Sequence, residues 1–318
     1  MCFYALLLTL YTCVAHGVLT QLVNGTDVDV NFVDATNGRP ALMVCGLDPQ
    51  SYETLDADCA AIATMLLKRG ARRGAPDYRG WTPLQFGASR GLTKYCEVLL
   101  QWDSQGLLDG VEAPEGDSID NLIDAVDPTG RTAAMLAAVN GHFGTVSTLI
   151  SNGANLTIQN SDGQTALHLA TSRAISNSTT KLLGQYEAFV DVVSQTKGLI
   201  DARDKDNRTA LMYAAMALNH RVVDILLIHR ADPTLVDRFK TSVMAMCSKD
   251  GTLQERVITA QMDVIERQHD GWLDDTEHII KEYERQVALA HEMDLEQARL
   301  EKMGFQPVGR QQRQDVEL

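Results

Sequence analysis

The side chains best suited to nucleophilic, redox or metal chemistry in this 318-residue chain are its six cysteines and eight histidines. Their spacing serves none of these purposes. Cys2, Cys13, Cys45, Cys59, Cys96 and Cys247 are scattered, with no CxxC pair and no histidine at the spacing of a zinc site. They read as free thiols: the chain is too long and too sparse in cysteine to depend on a disulfide framework, which favours a reducing compartment. No stretch offers a Gly-rich phosphate loop, an HExxH or GxSxG motif, or a kinase signature. His142, His168, His220 and His229 fall on positions of a recurring pattern and read as hydrogen-bonded turn or helix residues. The expectation is a protein without catalysis, cofactor, metal or small-molecule substrate.

What remains is a large folded surface. A hydrophobic content of 45% supplies a core, and a formal net charge of -14 works against a general binder of nucleic acid or anionic membrane. The basic run KRGARRG, Lys68 to Gly74, reads as a solvated turn rather than a nuclear-import signal.

The elements that must carry that surface announce themselves by repetition. A turn, a Thr and a short helix recur as NGRPALM, RGWTPLQFGA, TGRTAAMLAA, DGQTALHLA, DNRTALMYAA and FKTSVMAM. Thr132 to Thr165 is 33 residues and Thr209 to Thr241 is 32. The other intervals, from Pro40, Thr82 and Thr165, are 42, 50 and 44, so a base period of 33 carries insertions. The turn glycines 38, 80, 130 and 163 supply a left-handed backbone, and the Thr that follows offers its hydroxyl to the orphan amides of a helix start. Ala-rich first helices such as MLAA and MYAA permit close approach, and Val/Leu/Ile clusters in second helices fill the space between repeats.

The phrase resembles the ankyrin family, whose repeat of about 33 residues opens its first helix with T-P-L-H-x-A. TPLQFGA and TALHLA are close to that signature, and GHFGTVSTLISNGANLTIQNSDG and VVDILLIHRADPTLVDRF follow the family's order of second helix, turn and hairpin. The resemblance spans roughly residues 16 to 250. Departures are Pro40 for the first Thr, Ala134 for a Leu, and Asn207 and Phe239 for the turn glycine; only His168 keeps the His. The fold class implied is an all-α repeat solenoid of ankyrin-type helix-turn-helix units with short β-hairpin loops, plus a C-terminal helical extension.

Residues 1–33 read as an incomplete capping repeat, because His16 precedes Asp29 as His142 precedes Asn155. The competing reading makes 1–17 a secretory signal and opens the Asn24, Asn155, Asn177 and Asn207 triplets to glycosylation. Repeats then occupy 34–250, with insertions near 47–58, 103–126 and 172–186. The second insertion is acidic, and the stretch from Asp103 to Ile123 is expected to be dispensable to the fold. A helical cap is expected at 251–304, where Ile280, Tyr283, Val287 and Ala290 form one stripe that drifts off a coiled-coil heptad, and a disordered tail at 305–318.

The resemblance implies a protein-binding scaffold or adaptor that uses hairpin tips and the concave first-helix surface. Alternatives are a secreted, effector-type protein or an inhibitory subunit that docks on an enzyme. The residue between turn and Thr marks the row expected to meet the partner: Arg39, Trp81, Arg131, Gln164, Arg208 and Lys240. Four of the six are basic on an acidic chain, which points to a protein partner with an acidic, partly apolar segment. The row is expected to be exposed, with no transmembrane anchor and a cytoplasmic location, nuclear or secreted locations being the alternatives.

Overall fold

The structure, a computed structural model, describes residues 30–31, 33, 35–44, 52–102, 122–173, 180–196 and 198–268. Within them twelve helices follow one another in pairs: α1 (Ala41–Val44) and α2 (Tyr52–Lys68), α3 (Pro83–Arg90) and α4 (Thr93–Gln101), α5 (Ala133–Val139) and α6 (Phe143–Ser151). The remaining pairs are α7 (Ala166–Arg173) and α8 (Thr180–Gln195), α9 (Ala210–Met216) and α10 (His220–Ile228), α11 (Val243–Met246) and α12 (Gly251–Gln268). Each first helix packs on the first helix of the next pair and each second helix on the next second helix. Two layers therefore run the length of the stack. This is the all-α solenoid; among the described residues extended backbone pairs only at the bridges Val33–Pro40 and Val236–Ser242. The segments outside include the capping and signal readings of 1–29 and the helical stripe and tail of 269–318.

The first helices start where the turn-and-hydroxyl phrase places them, and the hydroxyls act as caps. Thr82 Oγ1 accepts from Gln85 N at 3.3 Å while Gln85 Oε1 accepts from Thr82 N at 2.9 Å, a reciprocal cap reinforced by Pro83 at the first helical position. Thr132 and Thr209 cap α5 and α9 through the hydroxyl bond alone, from Met135 N and Met212 N. The sixth pair differs from expectation: Ser242, not Thr241, caps α11, accepting from Ala245 N at 3.3 Å. The last period is then 33 rather than 32, from Thr209 to Ser242. It follows that Lys240, not Phe239, fills the turn-glycine place, with φ +61, as Asn207 does with φ +59.

Small residues set the spacing of the inner layer. Ala133, Ala134, Ala137 and Ala138 of α5 and Ala210, Ala214 and Ala215 of α9 are all within 2% of full burial. At Gly163, φ +77, a Cβ would stand 2.8 Å from the Lys205 amide nitrogen of the next repeat, so the turn needs glycine both for its backbone and for the contact. Between the layers Leu99, Val146, Leu149, Val190, Val193, Val222 and Leu226 are closed to solvent. Phe143 stacks on Phe189 at 5.7 Å and meets Tyr186 edge-on at 5.6 Å.

The insertions are only partly loop. Second helices α4, α6 and α10 have 9 residues, whereas α2 has 17 and α8 has 16. In both long helices part of the added length is extra turns at the start. One of these turns caps a neighbouring helix. α4 begins at Leu92 without a side-chain cap of its own, and Asp56 of α2 accepts from Lys94 N and Tyr95 N, each at 3.0 Å. The acidic stretch is outside the described residues from 103 to 121, but its end is core. Leu122 and Ile123 are 3% and 6% exposed, which corrects the expectation that everything from Asp103 to Ile123 is dispensable loop.

Candidate binding surface at the hairpin tips

Five residues before each cap of repeats 2 to 6 stands Asp77, Asp127, Asn160, Asp204 or Asp237. In every case its Oδ1 accepts the amide of the tip residue four places on, and its own amide donates back to that residue's carbonyl. The four carboxylates are buried, from 3% to 8% exposed. At Asp127 burial works to raise the pKa, but hydrogen bonds from Thr129 and Arg131 outweigh it and hold the carboxyl below its usual range. The repeated hexads DYRGWT, DPTGRT, NSDGQT, DKDNRT and DRFKTS contain this residue in plain sight. Aligning on it rather than on Thr would have placed the last cap at Ser242.

A second side chain ties each tip to its neighbour. Gln85 Nε2 donates to Arg131 O at 3.1 Å and to Ala125 O at 2.8 Å. In the equivalent place His168 Nδ1 accepts from Thr165 N at 3.1 Å, and Nε2 lies 3.0 Å from Arg208 O. An amide can only donate and a carbonyl only accept, so the ring is neutral with its proton on Nε2. Burial lowers the His168 pKa accordingly. Backbone rungs complete the ladder at Tyr78 N to Asn37 O, Ser161 N to Thr129 O, Lys205 N to Asp162 O and Arg238 N to Asp206 O. The rung expected between repeats 2 and 3 has no donor, because Pro128 occupies its place.

The tip residues are half-buried rather than free. Arg131 lies over the Trp81 ring at 5.9 Å and pairs with Asp127 at 2.9 Å. Arg39 lies 5.7 Å from the Phe86 ring centre. Gln164 Nε2 donates to Tyr213 OH at 3.1 Å, and Tyr213 donates to Asp204 Oδ2 at 2.6 Å. Arg208 lies between Asp206 and Asp237, at 4.0 and 3.8 Å. Trp81 and Arg131 are thus brought together, while the others reach across to first-helix or hairpin side chains. Lys240 falls outside the row: it is exposed in the turn, and half-buried Thr241 takes the tip position.

A family model described as ankyrin repeats, in three copies, matches residues 107–195 and 162–237. This chain is an ankyrin-repeat protein. Repeats 1, 2 and 6 lie outside the matched ranges, and repeats 2 and 6 keep the ankyrin tip geometry bond for bond. Ankyrin repeats are protein–protein interaction modules and typically have no enzymatic activity of their own. No described helix is long and apolar enough to cross a membrane, and among the described residues no three His, Cys, Asp or Glu side chains gather as a metal site requires. Sequence reasoning missed Phe86 and Arg90 of α3 and Tyr213 of α9, which border the row on the first-helix side. Arg90 lies on Phe86 one turn earlier in the same helix and Tyr213 bonds Asp204 of its own repeat, but their contacts with Arg39 and Gln164 come from the preceding repeat and leave no local pattern.

Proposed function

We propose that this ankyrin protein is a non-enzymatic adaptor that holds a partner protein along the hairpin tips and first helices, the partner presenting an acidic, partly apolar segment. The observation that carries this reading is the Trp81–Arg131 stack in a row that also holds Arg39 and Arg208, on a chain whose net charge is -14. Arg131 and Arg208 are neutralised by the chain's own carboxylates, so the charge left to attract an acidic partner is that of Arg39, while the guanidinium planes and the indole offer the partner flat contacts. The reading places the protein in the cytoplasm, which the free buried thiols Cys96 and Cys247 support.

The test compares two triple variants by pull-down and mass spectrometry from the native cell. Trp81→Ala/Arg131→Gln/Arg208→Gln removes the edge, and Arg79→Gln/Asp162→Asn/Lys205→Gln changes hairpin residues beside it. The edge variant is expected to lose one or more proteins that the other retains, and those proteins are expected to carry acidic segments. Identical partner sets from the two variants and the wild type would sink the placement.

A further inference from the structure

We infer that Arg39, Phe86 and Arg90, between repeats 1 and 2, form a receptor for a carboxylate side chain of the partner's acidic segment; this rests on the reading above and deepens it. The guanidinium of Arg90 lies 5.0 Å from the Phe86 ring centre and that of Arg39 lies 5.7 Å from the same centre. Phe86 itself is 5% exposed, so the two cations meet at a ring that is part of the core. Two like charges held against one ring repel each other, and a nearby anion offsets that repulsion.

Elsewhere in the row the protein supplies its own neutralising or hydrogen-bonding group. Arg131 has Asp127, Arg208 has Asp237 and Gln164 has Tyr213. Among the described residues Arg39 and Arg90 have no acidic partner; Arg39 Nε and Arg208 Nε are both buried without a hydrogen-bond acceptor, but Arg208 has the Asp237 carboxylate 3.8 Å away and Arg39 has none. Repeat 1 carries Ala35 five residues before Pro40 at its cap position, where the later repeats carry Asp or Asn. A buried donor without an acceptor is costly to leave and strong once satisfied by a charged group. The planar guanidinium forks suit a carboxylate, and the half-buried Trp81 next along the row gives the adjoining apolar residue of the segment a place to lie.

The experiment uses the full chain and a short fluorescein-labelled peptide of alternating Glu and Ala around a central Leu, followed by anisotropy at low salt. The wild type is expected to bind it, to bind the Gln analogue at least about tenfold more weakly, and to lose at least about tenfold on Arg39→Gln/Arg90→Gln. Arg39→Lys/Arg90→Lys should fall between, since charge remains but the fork is lost. Lys205→Gln/Lys240→Gln should bind as the wild type does, and melting curves should show each variant folded. Equal binding of the Glu and Gln peptides, no binding by the wild type at millimolar protein, or wild-type binding by the folded Arg39→Gln/Arg90→Gln protein each overturns the receptor. Tighter binding of the same peptide with phosphoserine in place of Glu overturns the choice of carboxylate. If the Trp81/Arg131/Arg208 variant loses the peptide while Arg39→Gln/Arg90→Gln keeps it, the receptor fails and the adaptor reading stands. If neither loses it, both fail.

Discussion

Two junctions of this solenoid solve one problem with different side chains. Between repeats 2 and 3, Gln85 joins the Thr82 amide to the Arg131 carbonyl; between repeats 4 and 5, His168 joins the Thr165 amide to the Arg208 carbonyl. The His junction adds the backbone rung from Lys205 to Asp162, while the Gln junction has Pro128 where the donor would be. The Gln junction gains instead a second bond, to Ala125, and the Trp81–Arg131 stack. The difference shows that the contact is an amide-to-carbonyl relay which any side chain with one acceptor and one donor at the right separation can make. Only one of the two versions can be switched by a proton.

The largest effect is expected from breaking the relay outright. Gln85→Leu and His168→Leu each strand a buried Thr amide and remove bonds to the next repeat, at a cost of about 2 to 3 kcal/mol by chemical denaturation. Near-equal losses support the equivalence. A cost below about 1 kcal/mol at His168 alone would show that its rung carries the junction and the ring is incidental.

The proton separates the two more finely. Burial lowers the His168 pKa in the folded state from an ordinary value of 6.5, so the unfolded chain binds the proton more readily. Stability from this site is complete above about pH 6.5 and is lost as pH falls from there through the folded-state pKa. His168→Gln, which copies the Gln85 relay, is expected to keep the fold at neutral pH and to flatten the fall in Tm on acidification. His142, also lowered by burial, leaves a residual slope of the same sign. An unchanged slope in His168→Gln would assign the acid sensitivity elsewhere.

A smaller effect tests the register of the last repeat. Ser242→Ala removes a cap and should cost about 1 kcal/mol, whereas Thr241→Ala removes a side chain whose residue is held by backbone bonds to Asp237 and should cost less than about 0.5 kcal/mol. The reverse order would restore the period of 32. This residue shows where the sequence was legible and where it was not. A turn that needs φ > 0 followed by a capping hydroxyl leaves a mark in residue type, and repetition at 33 residues makes the solenoid readable from it. Thr241 and Ser242 can both cap, so the hydroxyl alone is ambiguous; the buried Asp237 five places before the cap resolves it. Asp56 capping α4, and Arg39 and Arg90 meeting at Phe86, leave no comparable mark. Arg90 reaches Phe86 within one helix, but the Asp56 and Arg39 contacts join residues from different repeats, and stacking rather than local sequence brings those together.

The smallest expected effect lies at the missing rung. Pro128→Ser returns an N–H to the one junction between repeats 1 and 6 that lacks this donor, facing Arg79, whose carbonyl corresponds to Thr129 O, Asp162 O and Asp206 O in the later repeats. A new backbone bond contributes about 0.5 to 1.5 kcal/mol, while losing the ring frees the unfolded chain by about 0.4 to 1 kcal/mol, so the net change should stay within about 0.5 kcal/mol. Melting alone cannot decide so small a difference. Amide exchange can: the hydrogen that Pro128→Ser creates on the backbone nitrogen should be protected like those of Ser161 and Lys205 if the two hairpins are already aligned. The Pro128 ring also bears on this alignment, since a Cβ on Gly80 would stand 2.9 Å from its Cδ, which shows how closely the two hairpins approach. Fast exchange at position 128 would mean that the hairpins of repeats 2 and 3 are held together by Gln85 and the Trp81–Arg131 stack and not by a backbone rung, the helices packing as before.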